Sequence, residues 1–365
     1  MIVHLMDNEK FVLGEINVFE YYYPNRSLYV LSKDKTYRED SLSEINHIYL
    51  DKKDNSHWSE IERACNNAID YVLVYYASQE HMRIALHLKR KFGCKVYWMF
   101  FGADLYSPLY THYKYPLFDS PVINFMYKVK NIFVHDNWLL FEEYAESLDS
   151  FCFWNPYDYK LLQKYIPSCH AKYRYYLHGM GSEIIRDYNF PEKRQNFVQI
   201  NNSAYPVGNH LTILRKLKEL DKKRQLQLIL PLSYGKKVYA SIVEYYSKYS
   251  GFKCRILKGF MPAKDYFELV NGNAVALFGN NRQQAGGNIF TLLQSGTKVF
   301  LRNNNNMIKL LRDWGAHVYS VEDDLNSMED LLTPLTLQQK KDNFDAINKH
   351  CNKDLMKESM SHFFD

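Results

Sequence analysis

The 365-residue chain has no long hydrophobic run. Its apolar stretches at Tyr71–Ala77 and Val96–Phe101 are strand-sized, well short of the ~18–20 residues a membrane-spanning helix needs. No basic region followed by an apolar stretch opens the chain, so no signal peptide is expected. The six cysteines, Cys65, Cys94, Cys152, Cys169, Cys254 and Cys351, include no C-x-x-C pair. That pattern speaks against a zinc site or a disulfide framework and for reduced, buried thiols in a cytoplasmic protein. A strong charge of one sign is also missing. The 46 Lys and Arg against 41 Asp and Glu leave a formal charge of +5, which does not suggest a nucleic-acid binder. It is compatible with weak attraction to an anionic membrane surface. No G-x-G-x-x-G opens either half and no Walker sequence occurs, which argues against a dehydrogenase and a P-loop nucleotidase. No D-x-D occurs either, the spacing with which many sugar-nucleotide enzymes hold a divalent cation on a diphosphate. A site built on helix dipoles and arginine needs no metal, so neither a metal nor another cofactor is expected.

What is present is the composition of a globular protein, 46% hydrophobic, at a length that makes two domains. The 31 Tyr and 22 Phe suit cores, sugar stacking and membrane interfaces alike. Beyond Phe197, strands alternate with helices. Phe197–Ile200, Leu226–Leu232, Cys254–Leu257, Ala274–Phe278, Lys298–Leu301 and His317–Val321 read as strands. A helix with Leu211, Leu214 and Leu217 on one face follows the first strand. A helix with the stripe Val238, Ile242, Tyr245 and Tyr246 follows the second. Further helices are expected at Ala263–Val270, Ile289–Gln294 and Met307–Trp314. This is the signature of βαβ units around a parallel sheet. The first half is less regular but similar. Strands are expected at Ile2–Met6, Leu28–Leu31, Ile48–Leu50, Tyr71–Tyr75, Val96–Phe101 and Ile132–His135, with helices at Trp58–Ala68 and Met82–Phe92. A hinge is expected between Gly179 and Gln195. The domains then run 1–185 and 196–335, with a polar helical tail over 336–365.

In open parallel sheets, ligands bind beyond the carboxyl ends of the strands, so the loops there carry the chemistry. Gly279-Asn280-Asn281-Arg282-Gln283-Gln284-Ala285-Gly286-Gly287-Asn288 joins a strand to a helix. Its paired glycines admit close backbone approach, Arg282 offers a guanidinium fork for phosphate, and Gln283 and Gln284 add amide donors. A second loop, Asn201-Asn202-Ser203 through Gly208-Asn209-His210, either cradles an anion at a helix amino terminus or caps that helix. A third, Ser233-Tyr234-Gly235, offers a phenol for a phosphate or a ring. In the first half, Asp104 of Gly102-Ala103-Asp104 stands at a strand end. There a carboxylate either orients an acceptor hydroxyl or caps a helix. Asp7 and His135-Asp136 occupy similar places. The segment Tyr106–Tyr115 is dense in aromatics and suits a lipid-bearing acceptor or a core.

At these residues the chain resembles the bacterial 4-acetamido-4,6-dideoxygalactose (Fuc4NAc) transferases, glycosyltransferase family 56. Trp98–Tyr106 is similar to that family's W-G-A-D-L-Y stretch. Asn202-Ser203 through His210 is similar to its G-N-S…N-E-H loop. Leu230–Gly235 is similar to its V-P-M-G-Y turn, and Arg282-Gln283-Gln284 with Gly287 to its R-Q-Q-x-x-G loop. Departures fall at Asn201, where the family has Gly, at Ser233, where it has Gly, and at Ala285-Gly286, where it has Gly-Ile. The resemblance implies an α/β GT-B architecture, two Rossmann-like domains with parallel sheets facing each other across a cleft. It implies a glycosyltransferase that moves a Fuc4NAc-like sugar from a nucleotide diphosphate, with dTDP the family's, to a lipid-linked oligosaccharide at the inner membrane face. Peripheral membrane association is part of that expectation. Asn202, Ser203, Asn209, Tyr234, Gly235, Gln283, Gln284, Gly286, Gly287 and Asn288 are expected to hold the donor. Phe260 and Met261 are expected near the base, Arg282 on the departing diphosphate and Asp104 on the acceptor side. The alternatives are a non-catalytic sugar-nucleotide-binding scaffold and a GT-B epimerase.

Overall fold

The computed structural model describes residues 1–7, 11–32, 42, 45–50, 57–66, 68–132, 137–178, 188–259 and 261–365. In chain order the elements begin with β1 (Ile2–Met6), α1 (Val12–Tyr22), β2 (Ser27–Ser32), β3 (His47–Leu50), α2 (His57–Ala64), β4 (Tyr71–Tyr75), α3 (Gln79–Phe92), β5 (Lys95–Met99) and α4 (Ala103–Tyr113). They continue with α5 (Pro121–Ile132), α6 (Trp138–Ser147), β6 (Ser150–Cys152), α7 (Pro156–Tyr165) and β7 (Lys172–Arg174). The second half holds β8 (Arg194–Ile200), α8 (His210–Leu220), β9 (Gln227–Pro231), α9 (Lys237–Tyr249), β10 (Lys253–Leu257), α10 (Ala263–Asn271), β11 (Asn273–Leu277) and α11 (Gly286–Gln294). It closes with β12 (Lys298–Leu301), α12 (Asn306–Asp313), β13 (Tyr319–Ser320), α13 (Met328–Leu332), α14 (Leu337–His350) and α15 (Lys353–Ser361).

The chain forms two compact α/β units. The first comprises Met1–Lys114, His135–Ser182 and Lys353–Asp365; the second comprises Tyr115–Val134 and Glu183–Asn352. Residues 179–187 of the expected hinge lie outside the described residues. The division is less simple than the expected domains. Tyr115–Val134 joins the second unit because Asn209 bonds to the backbone at both Leu117 and Asp119. The tail divides. Helix α14 packs on α11, where Gln294 Nε2 donates to Asn348 Oδ1 at 2.6 Å, whereas α15 belongs to the first unit. There Tyr71 Oη donates to the Phe364 carbonyl at 3.1 Å, and the Phe363 ring sits 5.6 Å from Phe19. A polar tail thus conceals Met356, Met360 and Phe363 at core positions.

Each unit has one parallel sheet, in the order β3-β2-β1-β4-β5-β6-β7 and β10-β9-β8-β11-β12-β13. Strands covered by helices on both faces read as continuous apolar runs. Leu5 accordingly lies buried between Val30 and Val74, and Val198 between Leu228 and Val275. In each sheet the strand order reverses once, between β1 and β4 in the first unit and between β8 and β11 in the second. A crevice opens at the carboxyl ends of strands at such a point.

Some details differ from the pattern reading. Residues 133–136, including the His135-Asp136 pair, lie outside the described residues, and Ile132 closes α5 rather than opening a strand. The face α8 buries is His210, Ile213, Leu214 and Leu217, with Leu211 at its margin. On α9 the buried residues are Tyr239, Val243 and Ser247, while Val238 and Tyr245 face solvent. The Tyr239 hydroxyl accepts the His210 N–H at 3.2 Å, which sets the rotation of α9 one residue away from its most apolar stripe. The Tyr106–Tyr115 segment is largely core, with Tyr106, Leu109, Tyr110 and Tyr115 buried. All six cysteines are free thiols, and five are buried. Among the described residues no helix is long and apolar enough to cross a membrane.

One fully buried histidine in each unit, His4 and His210, has its pKa lowered. His4 on β1 packs against Phe19 and Tyr29 and bonds Tyr75 and Ser27, and His210 opens α8. Burial lowers each from 6.5 to about 3. The folded chain therefore refuses two protons that the unfolded chain accepts below about pH 6.5. Stability should be unaffected by these groups above that value and fall as pH drops towards 3. At pH 5 the cost is about 2 kcal/mol per histidine, from ~1.5 units at 1.36 kcal/mol each. Thermal melts should shift down between pH 7 and pH 5, and an unchanged melting temperature would contradict this account.

Candidate nucleotide-sugar site

The three loops singled out in the second half leave the carboxyl ends of β8, β9 and β11. The first and third flank the reversal point of the sheet. Two asparagines join them. Asn201, at φ 54°, accepts the Gly279 N–H through Oδ1 at 2.9 Å and donates from Nδ2 to the Gly208 carbonyl at 2.8 Å. Asn209, at φ 47°, donates from Nδ2 to the Gly279 and Leu117 carbonyls, each at 3.0 Å. Asn is among the few side chains that adopt this left-handed backbone readily, next to Gly. That explains how Asn201 stands where the resembling family has Gly. The approach is tight: a Cβ on Gly279 would lie 2.3 Å from the Gly208 carbonyl oxygen.

The second loop is tied to the first by backbone. Ala204 N–H donates to the Tyr234 carbonyl at 2.6 Å, and Lys236 N–H to the Ala204 carbonyl at 3.0 Å. Gly235 has φ 126°, and a Cβ there would meet the Ala204 carbonyl group at 2.6–2.7 Å. The exposed Tyr234 ring meets the Tyr205 ring edge-on at 5.5 Å.

The Gly279–Asn288 loop ends with Ala285 at the amino cap of α11, in the left-handed region at φ 65°. Gly286, Gly287 and Asn288 form the first turn, whose N–H groups have no helical acceptor and whose dipole favours an anion. Arg282 is half-buried and donates from Nη1 to the Gln283 carbonyl at 2.8 Å. Gln284 Oε1 accepts from Asn280 at 2.9 Å. Asn280 Oδ1, Asn281 Oδ1 and Gln283 Oε1 are buried without any hydrogen-bond partner. Buried amide oxygens are ordinarily served; three in this loop lack a protein partner, as do Gln199 Oε1 and both His210 ring nitrogens.

Several expected contacts change part. Asn209 is buried and its amide is consumed inside the fold, with Oδ1 accepting the Asp119 N–H, so it positions loops rather than meeting a ligand. Ser203 is buried and Asn202 half-buried, and neither side chain is committed to another described residue. Met261 follows β10 and is half-buried; Phe260 lies outside the described residues. In the first unit, Asp104 stands after β5, as expected, but only 3% exposed. Its Oδ2 accepts from Trp98 Nε1 at 2.7 Å and Ala77 N–H at 3.2 Å. Burial raises its pKa against these donors. So placed, it fastens β4, β5 and α4, and it cannot touch an acceptor without movement.

Pattern reading missed Asp119 and Arg302, and took Tyr115 only as part of the Tyr106–Tyr115 aromatic segment, not as a partner of Asn281. Arg302 follows β12 and pairs with Asp119 at 2.5 Å and with Glu322. Burial works against its charge, and the two carboxylates outweigh it, so its pKa is raised. Asp119 also receives Asn281 Nδ2 at 2.9 Å, and Tyr115 Oη donates to the Asn281 carbonyl at 3.2 Å. The position of Arg302 at a strand end was the available signal; Asp119 and Tyr115 lie far away in sequence and had none. In the first unit, the buried Glu15 with Tyr176 and His178 is a similar unforeseen cluster. Among the described residues no group of three or more His, Cys, Asp or Glu could hold a metal ion.

Residues 151–341, just over half of the chain, match the family model described as 4-alpha-L-fucosyltransferase, glycosyl transferase group 56. No curated protein matches the chain. Solved structures resemble it over nearly the whole length. Anabaena HepE in complex with UDP and glucose has a TM-score of 0.64 at 12% identity, over 99% of this chain and 98% of that one. Sucrose-phosphate synthase from Thermosynechococcus elongatus has a TM-score of 0.68 at 10% identity, over 100% and 98%. An α,α-trehalose-phosphate synthase from Burkholderia vietnamiensis has a TM-score of 0.58 at 9% identity, over 100% and 98%. At such identities the likeness shows the fold, which is the GT-B fold.

The clamp has a measurable consequence. Asn201→Ala leaves the Gly279 N–H and the Gly208 carbonyl buried and unserved and puts Ala into a left-handed conformation. The expected loss is about 3 kcal/mol in the second unit. Ala285→Gly should instead stabilise by about 1 kcal/mol, since Gly occupies φ 65° without strain. Urea titrations of both variants test the pair, and equal midpoints would refute the assignment of strain and clamp.

Proposed function

The chain belongs to glycosyl transferase group 56, and from that premise we propose that it transfers a Fuc4NAc-like deoxyamino sugar from a nucleotide diphosphate, with dTDP the foremost candidate, to a lipid-linked saccharide. Glycosyl transfer itself follows from the family. The sugar, the base, the acceptor and peripheral association with the inner membrane face are our reading. One observation carries it: the α11 amino terminus, Arg282 and three buried amide oxygens without partners lie on one loop beside the reversal point of the second sheet. HepE, with UDP and glucose bound, supports a nucleotide-sugar donor on this fold.

In this reading the diphosphate lies against the first turn of α11, at Gly286, Gly287 and Asn288, with Asn202, Ser203, Tyr234 and Gly235 on the neighbouring loops. Met261 stands towards the base. The buried amides of Asn280, Asn281 and Gln283 serve hydroxyl or amide groups of the donor. As the acceptor hydroxyl attacks the anomeric carbon, the bond to the diphosphate breaks, its electron pair goes to the departing oxygen, and the hydroxyl proton is lost to water. Negative charge grows on the diphosphate, where the helix N–H groups and the Arg282 guanidinium stabilise it. Gln284 is held by Asn280 and keeps the loop in register. On the first unit we assign Asp104 a positioning part in acceptor binding, through the β5–α4 turn it fastens.

Two measurements test this. Arg282→Ala should lower turnover by about 10²–10³-fold, the loss typical of a donor to a developing anion. Full activity in that variant ends the assignment. In thermal shift, dTDP should stabilise the protein more than UDP or GDP, by about 2.7 kcal/mol at a hundredfold excess over Kd. No response to any nucleotide diphosphate would sink the donor reading. Turnover is read as nucleotide diphosphate release with and without lipid-linked acceptor, and acceptor-independent release would point to an epimerase instead.

A further inference from the structure

Helix α5 presents two unlike faces. Ile123 is buried, and the Tyr127 ring lies tilted against the Phe118 ring with centroids 4.4 Å apart. These contacts hold the helix to the second unit. On the other side Val122, Phe125, Met126 and Val129 are 68%, 67%, 54% and 38% exposed. Their spacing is i, i+3, i+4, i+7, the stripe with which a helix ordinarily meets a core. Here it meets solvent, and four large apolar side chains in a row favour an apolar medium.

Charge identifies the medium. The only charged residues of α5 are Lys128 and Lys130, and the helix has no acidic residue. Asp119, just upstream, is already paired with Arg302. An apolar stripe bordered by charge of one sign is the composition of a helix lying in an anionic bilayer interface. A second copy on this face would bring like charges together. Helix α9 also exposes Val238, Ile242 and Tyr245, but it carries Glu244, paired with Lys248 and Lys258, and so lacks the one-sign charge.

We propose that the Val122–Val129 face of α5 docks the protein on an anionic lipid surface. The proposal rests on the lipid-linked acceptor of the preceding section and names the element that meets the membrane. The helix starts two residues after Asp119, which bonds Arg302, Asn281 and Asn209. Docking would thereby fix the donor loops relative to the lipid surface.

The test uses full-length protein and sedimentation with vesicles of phosphatidylethanolamine and phosphatidylglycerol, or of phosphatidylcholine alone. Wild type should bind the anionic vesicles and bind phosphatidylcholine far less. The double variant F125S/M126S should lose about tenfold or more of that binding while keeping its thermal shift with nucleotide diphosphate. Lys128→Glu should weaken binding and reduce its salt dependence. Binding by F125S/M126S equal to wild type, or no vesicle binding by wild type, overturns the proposal. So does a lipid-free dimer in analytical ultracentrifugation that F125S/M126S abolishes. Turnover on detergent-dispersed lipid-linked acceptor separates the two readings. Wild-type turnover keeps the proposed function whatever the vesicles show, and its absence sinks that function rather than the helix assignment.

Discussion

The second unit depends on one close approach, between the Gly279 backbone and the Asn201–Asn209 loop. The Gly208 carbonyl comes so near Gly279 that no side chain fits between them. Two buried amides span the contact and satisfy backbone groups on both loops. Buried backbone groups without partners are costly, so this pair of asparagines converts two strand-end loops into a single wall. The left-handed backbone at both asparagines is part of the same arrangement, because it turns each side chain back across the gap.

From that wall the remaining site geometry follows. Asn209 also holds the backbone at Leu117 and Asp119, which brings the 115–132 segment onto the second unit. Asp119 then reaches Arg302 at the end of β12 and Asn281 in the third loop. Buried ion pairs add little stability by themselves, but removing one partner leaves an uncompensated charge. Arg302, with Asp119 and Glu322, therefore acts mainly to specify position. Arg282 differs: it is half-buried and donates to the carbonyl of the neighbouring Gln283.

The two units use the end of a parallel sheet differently. In the second, buried amide oxygens stay unserved beside a helix amino terminus. In the first, the carboxylate at a comparable strand end is drawn inward by the Trp98 indole and a backbone N–H. A Gly-Ala-Asp turn after a strand is compatible with either outcome. At Asp104 the fold supplies two donors to Oδ2 and leaves Oδ1 buried without a partner.

The alternation of strands and helices, the parallel sheets and the loops at the strand ends were legible in the sequence. Each rests on local periodicity and on glycine, asparagine and arginine at strand ends, which need no knowledge of distant residues. The family resemblance likewise rests on short local motifs. The assignment of 115–132 to the second unit and of α15 to the first was decided only by tertiary structure, since both rest on partners more than ninety residues away. The α9 stripe shows the same limit: its most apolar positions face solvent because the Tyr239 hydroxyl is tied to His210. Periodicity identifies an amphipathic helix, but long-range hydrogen bonds choose which face is buried. They also decided that the side chains of Asn209 and Asp104 bond within the fold.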